Sequence, residues 1–372
     1  MNIGIPKERK SGERRVALTP IGAAELVGLG HSIFIEKDAG ALSGFPDAEY
    51  VTAGATICNE LSQVWERAEL LVKVKEPAPE EFTLFRPGLA VFSFLHPAVA
   101  PDLVKALLEK NVIGLDYDLV MLEDMRLPIL EPMSVVAGKL AIQCGAYALQ
   151  ANGGGRGVLL GGTPGVTSGK VVVIGAGAAG ANAARVAIGM GARVTVIDIN
   201  PDKLAPFAAP PYNANTVISS PQAIENEVRD ADLVIGSVLI PGALAPKLLT
   251  RAMLKKMRRG AVIVDICIDQ GGFAETSRAT SIADPTYIEE GIVHYCVPNM
   301  PSLVPQTSTL ALTNATMRWI KLLAGQGIKQ SVQTVGPIRK SLVSVGGKLT
   351  NAAIGEALHL PWITPDAAEK LL

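Results

Sequence analysis

The chain has 372 residues, 48% apolar and 19% charged, enough for two domain-sized cores and incompatible with global disorder. A formal net charge of −1, with no Lys/Arg block and no aromatic–basic interleaving, argues against nucleic acid as a partner. The longest uncharged apolar run, Val171 to Ala184, falls short of the roughly 20 residues of a membrane span and is broken by glycines.

Met1 to Lys10 carry charge where a secretory signal would be hydrophobic. Cys58, Cys144, Cys267 and Cys296 are scattered, with no Cys-x-x-Cys pair. They read as reduced core residues, so no metal site or disulfide frame is expected and the cytoplasm is the expected location. In chain order, Asn2–Ile5, Ser32–Glu36, Leu70–Val74, Leu89–Ser93 and Val112–Leu115 read as strands, with helices over Pro20–Leu29 and Pro101–Lys110 between them. This alternation implies a mostly parallel sheet. A helical segment from about Ser134 to Gln150 leads into glycine-dense stretches at 152–157 and 161–165, read as a hinge or a close-packed connection.

Val171-Val-Val-Ile174 is a buried strand that runs into a turn carrying Gly175, Gly177 and Gly180. A small-residue helix follows to about Met190, and a second strand, Val194-Thr-Val-Ile-Asp198, ends in an acid. Gly175 permits the tight turn, Gly177 lets a pyrophosphate approach the backbone around Ala178 and Ala179, and Gly180 lets the helix press on the sheet. Asp198 can accept hydrogen bonds from ribose hydroxyls, and Ile199-Asn200-Pro201-Asp202 offers no arginine for a 2′-phosphate, so NAD is expected over NADP. Further strands at Asp232–Val238, Ala261–Ile266 and Ile292–Cys296 extend this sheet, and a helix over Ser308–Leu323 precedes a polar tail. The first region lacks a closing helix, so the C-terminal part is expected to pack back on it. The expected fold is α/β with two Rossmann-like doubly wound domains. In that reading the NAD-binding domain, 134–304, is inserted into a discontinuous substrate domain, 1–133 and 305–372.

Open α/β sheets bind ligands beyond the C-terminal ends of their strands. Four polar residues fall there: Arg15 after the first strand, Lys75 and His96 after Leu70–Val74 and Leu89–Ser93, and Asp269 after Val262–Ile268. Each also has a structural reading. His96 could be a satisfied buried ring, Lys75 a solvated surface residue, Arg15 a partner for Glu8 or Glu13, and Asp269 a backbone cap.

Several stretches together resemble the bacterial alanine dehydrogenases of the alanine dehydrogenase/pyridine nucleotide transhydrogenase family. They are Ile5-Pro-Lys-Glu8 with Arg15-Val-Ala-Leu-Thr-Pro20, Val72-Lys-Val-Lys-Glu-Pro77, Leu95-His96, Pro132-Met-Ser134, 154–162, 238–243, Asp269-Gln-Gly-Gly272, Val297-Pro-Asn-Met-Pro301 and 307–314. The resemblance implies reversible oxidative deamination of L-alanine to pyruvate and ammonium with NAD, in a homohexamer. It implies that His96 is the general acid/base, that Asp269 assists it, and that Arg15 and Lys75 hold the substrate carboxylate and polarise its carbonyl oxygen. On the cofactor side it implies Ser134, Asp198, Lys203 and Ser219 or Ser220, with backbone at Ala178–Ala179, Val238–Leu239, Ile266, Cys267, Ile268 and Asp269, and at Pro298, Asn299, Met300 and Pro301. It further implies that His96 and Asp269 meet across a cleft. The chain departs from the family pattern at Val135, Leu244, Phe273 and Gln306, and at Pro97, which is expected to hold His96 extended. These departures keep two alternatives open: a related oxidoreductase with another amino-acid or keto-acid substrate, and a non-catalytic NAD-binding module.

Overall fold

The computed structural model describes residues 1–238 and 244–372; Leu239 lies outside them. Six strands come first: β1 (Asn2–Ile5), β2 (Ser32–Glu36), β3 (Thr56–Cys58), β4 (Leu70–Lys75), β5 (Ala90–Phe94) and β6 (Ile113–Asp116). Seven follow: β7 (Lys170–Ile174), β8 (Arg193–Asp198), β9 (Asn215–Ile218), β10 (Leu233–Gly236), β11 (Val262–Asp265), β12 (Thr286–Glu289) and β13 (Ile292–Tyr295). The C-terminal stretch adds β14 (Leu342–Val345) and β15 (Lys348–Leu349). Met1–Met133 with Val304–Leu372 form one unit, and Ser134–Leu303 form the other.

In the first unit the strand order is β15-β14-β6-β5-β4-β1-β2-β3; the pairs from β6 to β3 are parallel, and β14 and β15 add antiparallel. The strands are apolar on both faces because helices cover both, as the sequence Leu70-Leu-Val and Ala90-Val-Phe requires. One face packs Leu71, Val91, Leu103, Leu107 and Val343 into a single cluster. The helix Pro20–Gly28 starts where Thr19 accepts the Gly22 N–H and Pro20 occupies the first turn.

The stretch after Leu323 is read from sequence as a polar tail, yet within it Leu342-Val-Ser-Val345 is wholly buried as β14. Val345 pairs Lys348 across Gly346-Gly347, whose φ values are 56° and 69°. Two central residues of positive φ make the tight hairpin turn that glycine allows. At the irregularity where β14 meets β6, Ser344 Oγ accepts from Gly114 N (3.0 Å) and donates to the Val112 carbonyl (2.9 Å), replacing ladder bonds.

The second unit has order β12-β13-β11-β10-β7-β8-β9, all parallel except β12. The helix expected from Ser134 begins four residues earlier and runs Leu130–Ala148. Pro132 stands in its first turn, where N–H groups have no intrahelical acceptor and a proline removes nothing. The helix expected over Ser308–Leu323 is likewise longer, Pro305–Gln326, with proline at its first position and Gly327 at φ 84° ending it.

Gly138 lies where a Cβ would come within 2.0 Å of the Ala179 carbonyl oxygen, so the helix backbone rests directly against the start of the helix Ala178–Gly189. Gly138→Ala is therefore expected to lower stability by about 1–3 kcal/mol. Gly189→Ala, where a Cβ meets nothing, serves as the control of neutral or opposite sign. Urea unfolding followed by circular dichroism measures both.

Candidate active site

In the first sheet the connections leave in opposite directions from the β1–β4 pair, and the loops after β1, β4 and β5 carry three of the candidate residues. Lys75 closes β4 and His96 follows β5. Lys75 Nζ is 3.2 Å from His96 Nε2, and the imidazole lies parallel to the Phe94 ring, 6.0 Å between centroids. On its other edge His96 Nδ1 is 2.9 Å from Asp118 Oδ2.

His96 is not extended, as Pro97 leads one to expect, but left-handed at φ 46°, ψ 46°. Its carbonyl accepts from Val99 N (3.1 Å), opening the 3₁₀ turn Pro97–Val99, and both ring nitrogens are engaged. These contacts outweigh a backbone strain of about 1–3 kcal/mol. Asp116 Oδ1 accepts from both Leu95 N and Asp118 N, each 3.1 Å, so one buried oxygen ties the end of β5 to the turn presenting Asp118. Burial pushes the Asp116 carboxyl above its ordinary range, and the charge of Asp118 adds to this while His96 opposes it. Sequence reasoning passes over both aspartates; their signal is the pair of acids in Gly114-Leu-Asp116-Tyr-Asp118, just past an apolar strand.

Arg15 is buried, with Nε 2.7 Å and Nη2 2.6 Å from the two oxygens of Glu13, and Nη1 3.1 Å from Met133 Sδ. Of its two partners foreseen from sequence, Glu13 is the one it meets. The next residue is pinned as well: Val16 N donates to Thr309 Oγ1 (3.2 Å), which lies 3.0 Å from Ser43 Oγ.

Beneath Lys75 the β4–β5 ladder shifts register between Val72 and Lys75. Glu8, on the loop after β1, accepts from Val74 N (2.7 Å) and Lys75 N (3.2 Å). Lys73 Nζ sits 3.0 Å from Glu81 and 3.7 Å from Glu8, all three side chains being buried. Two carboxyls share one ammonium. Burial pushes Glu8 up to about 7 against the pull of Lys73, while the paired carboxylates raise Lys73 despite its burial.

In the second unit Gly175 has φ 95°, and a Cβ at Gly180 would stand 1.7 Å from the Gly175 carbonyl oxygen. A Cβ on Gly177 would meet nothing within 4 Å, leaving open space at the first turn of the helix Ala178–Gly189. That is the space and the N–H array a pyrophosphate requires, so these residues fit a dinucleotide. Asp198 ends β8; its Oδ2 accepts from Ala176 N (2.6 Å) and its Oδ1 from Asn200 N (2.8 Å). Each carboxylate oxygen can take a further donor such as a ribose hydroxyl. Lys203 is exposed on the helix Pro201–Ala208. Of the serine pair, Ser220 Oγ accepts the Ala223 N–H as a helix cap. Ser134 is half-buried on the helix Leu130–Ala148.

Asp265, fully buried at the end of β11, accepts from Cys267 N (2.9 Å) and Phe273 N (3.0 Å), and so shapes the turn that exposes Asp269. Asp269 Oδ2 accepts from Asn299 N (3.2 Å), and Asn299 is left-handed at φ 56°. Pro298 precedes it, and Met300 and Pro301 are buried in the following 3₁₀ turn. Val238 N donates to Cys267 Sγ (3.0 Å), and Ile266 N to the Gly236 carbonyl (3.0 Å), while Ile268 is buried. Phe273, a departure from the family pattern, belongs to the core: its ring covers Gly236 so closely that a Cβ there would come within 2.0 Å. Leu244 and Gln306 are exposed and Val135 is half-buried. Among the described residues no group of three or more His, Cys, Asp or Glu could hold a metal ion, and no helix is long and apolar enough to cross a membrane.

The glycine turn at the start of a helix in a doubly wound sheet defines a dinucleotide-binding class of protein. Residues 4–137 match the alanine dehydrogenase/PNT N-terminal domain and residues 141–352 its C-terminal domain, and the chain belongs to that family. An alanine dehydrogenase of Staphylococcus saprophyticus is 49% identical over 372 residues, all of both chains. A solved L-alanine dehydrogenase superposes with TM-score 0.93 at 43% identity, over 96% of this chain and 99% of that one. A transhydrogenase from Sinorhizobium meliloti has TM-score 0.82 at 24% identity over 95% of this chain and 100% of that one, a likeness of fold. The family implies a nicotinamide cofactor.

Two outcomes are expected. Glu8 holds its proton to about 7 when folded, against an ordinary 4.5, so its contribution to stability is complete below about 4.5 and lost as pH rises through 7. Glu8→Gln should flatten that part of the pH dependence, by an amount on the order of a few kcal/mol, in denaturant titrations between pH 4 and pH 8. Asp198→Ala should weaken binding of the nicotinamide dinucleotide by roughly 1.5–3 kcal/mol, the worth of a hydrogen bond to a charged group, and narrow any difference between NAD and NADP, as read by calorimetry with both nucleotides.

Proposed function

We propose that this chain is an NAD-dependent L-alanine dehydrogenase, which converts L-alanine and water to pyruvate and ammonium, and the reverse. The observation that carries the reading is the Lys75–His96 pair, an ammonium and an imidazole 3.2 Å apart at the ends of adjacent parallel strands. Full-length likeness to alanine dehydrogenases supports it.

Gly175, Gly177, Gly180, Asp198 and Ser219 would hold NAD at the glycine turn, and the cofactor would supply the acceptor for the hydride of the substrate α-carbon. His96 takes and returns the protons as the imine adds water and the carbinolamine releases ammonium. Lys75 stabilises charge on the substrate oxygen, an effect worth several kcal/mol where water is excluded, order of magnitude only. Arg15, oriented by Glu13, attracts the substrate carboxylate, and Asp269 assists the proton transfer. The cytoplasm and a homohexamer are part of the same proposal.

The test is NADH absorbance on mixing L-alanine with NAD at alkaline pH, where more of the amine is deprotonated. His96→Ala should lower kcat by at least about 100-fold with NAD binding retained. Turnover surviving in that variant removes His96 from the mechanism. A response only to other amino or keto acids would make the chain a related oxidoreductase, and NAD binding without any turnover a non-catalytic module.

A further inference from the structure

His96 is flanked by two charged groups of different kinds. Lys75 Nζ, which can only donate, faces Nε2 at 3.2 Å, and Asp118 Oδ2 faces Nδ1 at 2.9 Å. The other oxygen of Asp118 is buried and has no hydrogen-bond partner among the described residues, so the side chain has its one hydrogen bond at His96. Asp116 behind it fixes the geometry, since its Oδ1 holds Leu95 N beside the histidine and Asp118 N beside the carboxylate. Phe94 stacks on the ring and limits its rotation.

A neutral imidazole carries one N–H. If that proton sat on Nε2 it would meet the Lys75 ammonium donor to donor, and the Nδ1 lone pair would face a carboxylate oxygen. With the proton on Nδ1 both contacts become hydrogen bonds: Nδ1–H to Asp118, and Lys75 N–H to the Nε2 lone pair. We propose that Asp118 is a positioning residue, holding His96 in the Nδ1–H tautomer so that Nε2 is the nitrogen that exchanges protons with the substrate. The proposal rests on the reading of His96 as the proton-transfer group. When Nε2 gains a proton, Asp118 offsets the new positive charge beside Lys75. A carboxylate that orients and stabilises an imidazole in this way is a known design for proton transfer.

The test combines tautomer and rate. The chain has four histidines, so imidazole ¹⁵N spectra of histidine-labelled enzyme are resolvable, His96 being assigned by its loss in His96→Gln. In the resting wild-type enzyme, at a pH where the ring is neutral, Nδ1 should be the protonated nitrogen. Asp118→Asn, whose amide can donate to Nδ1, should populate the other tautomer and lower kcat by about 10²- to 10⁴-fold, with KM for L-alanine and NAD affinity within about threefold. Asp118→Glu should restore the tautomer and most of the rate. A wild-type spectrum with the proton on Nε2, or an Asp118→Asn enzyme with unchanged tautomer and kcat, overturns the proposal; the first needs no variant to fold. Turnover surviving in His96→Ala overturns instead the proton-transfer reading, which the resting tautomer does not measure.

Discussion

Where a parallel sheet stops, the backbone N–H groups at its C-terminal edge lose their ladder partners, and in both units buried carboxylates take them up. Glu8 receives Val74 and Lys75, Asp116 receives Leu95 and Asp118, Asp198 receives Ala176 and Asn200, and Asp265 receives Cys267 and Phe273. Glu8, Asp116 and Asp265 each hold backbone beside a candidate site residue, and Asp198 is one itself. A carboxylate is suited to this because its two oxygens accept several donors in one plane. The arrangement is costly, since desolvation raises Glu8, Asp116 and Asp265. In return, the loops at the strand ends are fixed without a cover of regular secondary structure.

The glycine turn was fully legible in the sequence because its constraint is steric and local: only glycine tolerates 1.7 Å between a hypothetical Cβ and a carbonyl. Lys75 and His96 were legible as strand-end residues, but not as a pair. Their partner Asp118 was illegible because it depends on how β5 meets β6, where Ser93 lies opposite Asp116 and the turn after β6 swings the second acid back to the histidine. The rule for residues before proline failed at His96 because two tertiary contacts and the hydrogen bond of a 3₁₀ turn outweighed a local preference. β14 escaped notice because a strand of four residues has little periodicity, although its Gly-Gly turn was there to be read.

The departures from the family pattern separate by environment. Phe273 is wholly buried against Gly236, so it is a packing solution in which a large ring and an absent side chain complement each other. Leu244 and Gln306 are exposed and carry no such constraint.

The edge of β6 is completed by β14, more than two hundred residues later in the chain. A ribosome therefore releases the first six strands with an open border that is closed only by a segment made more than two hundred residues later. Until then the nascent sheet exposes unsatisfied backbone to its neighbours in the polysome, and loss of the β14 segment would strike at strands made long before it.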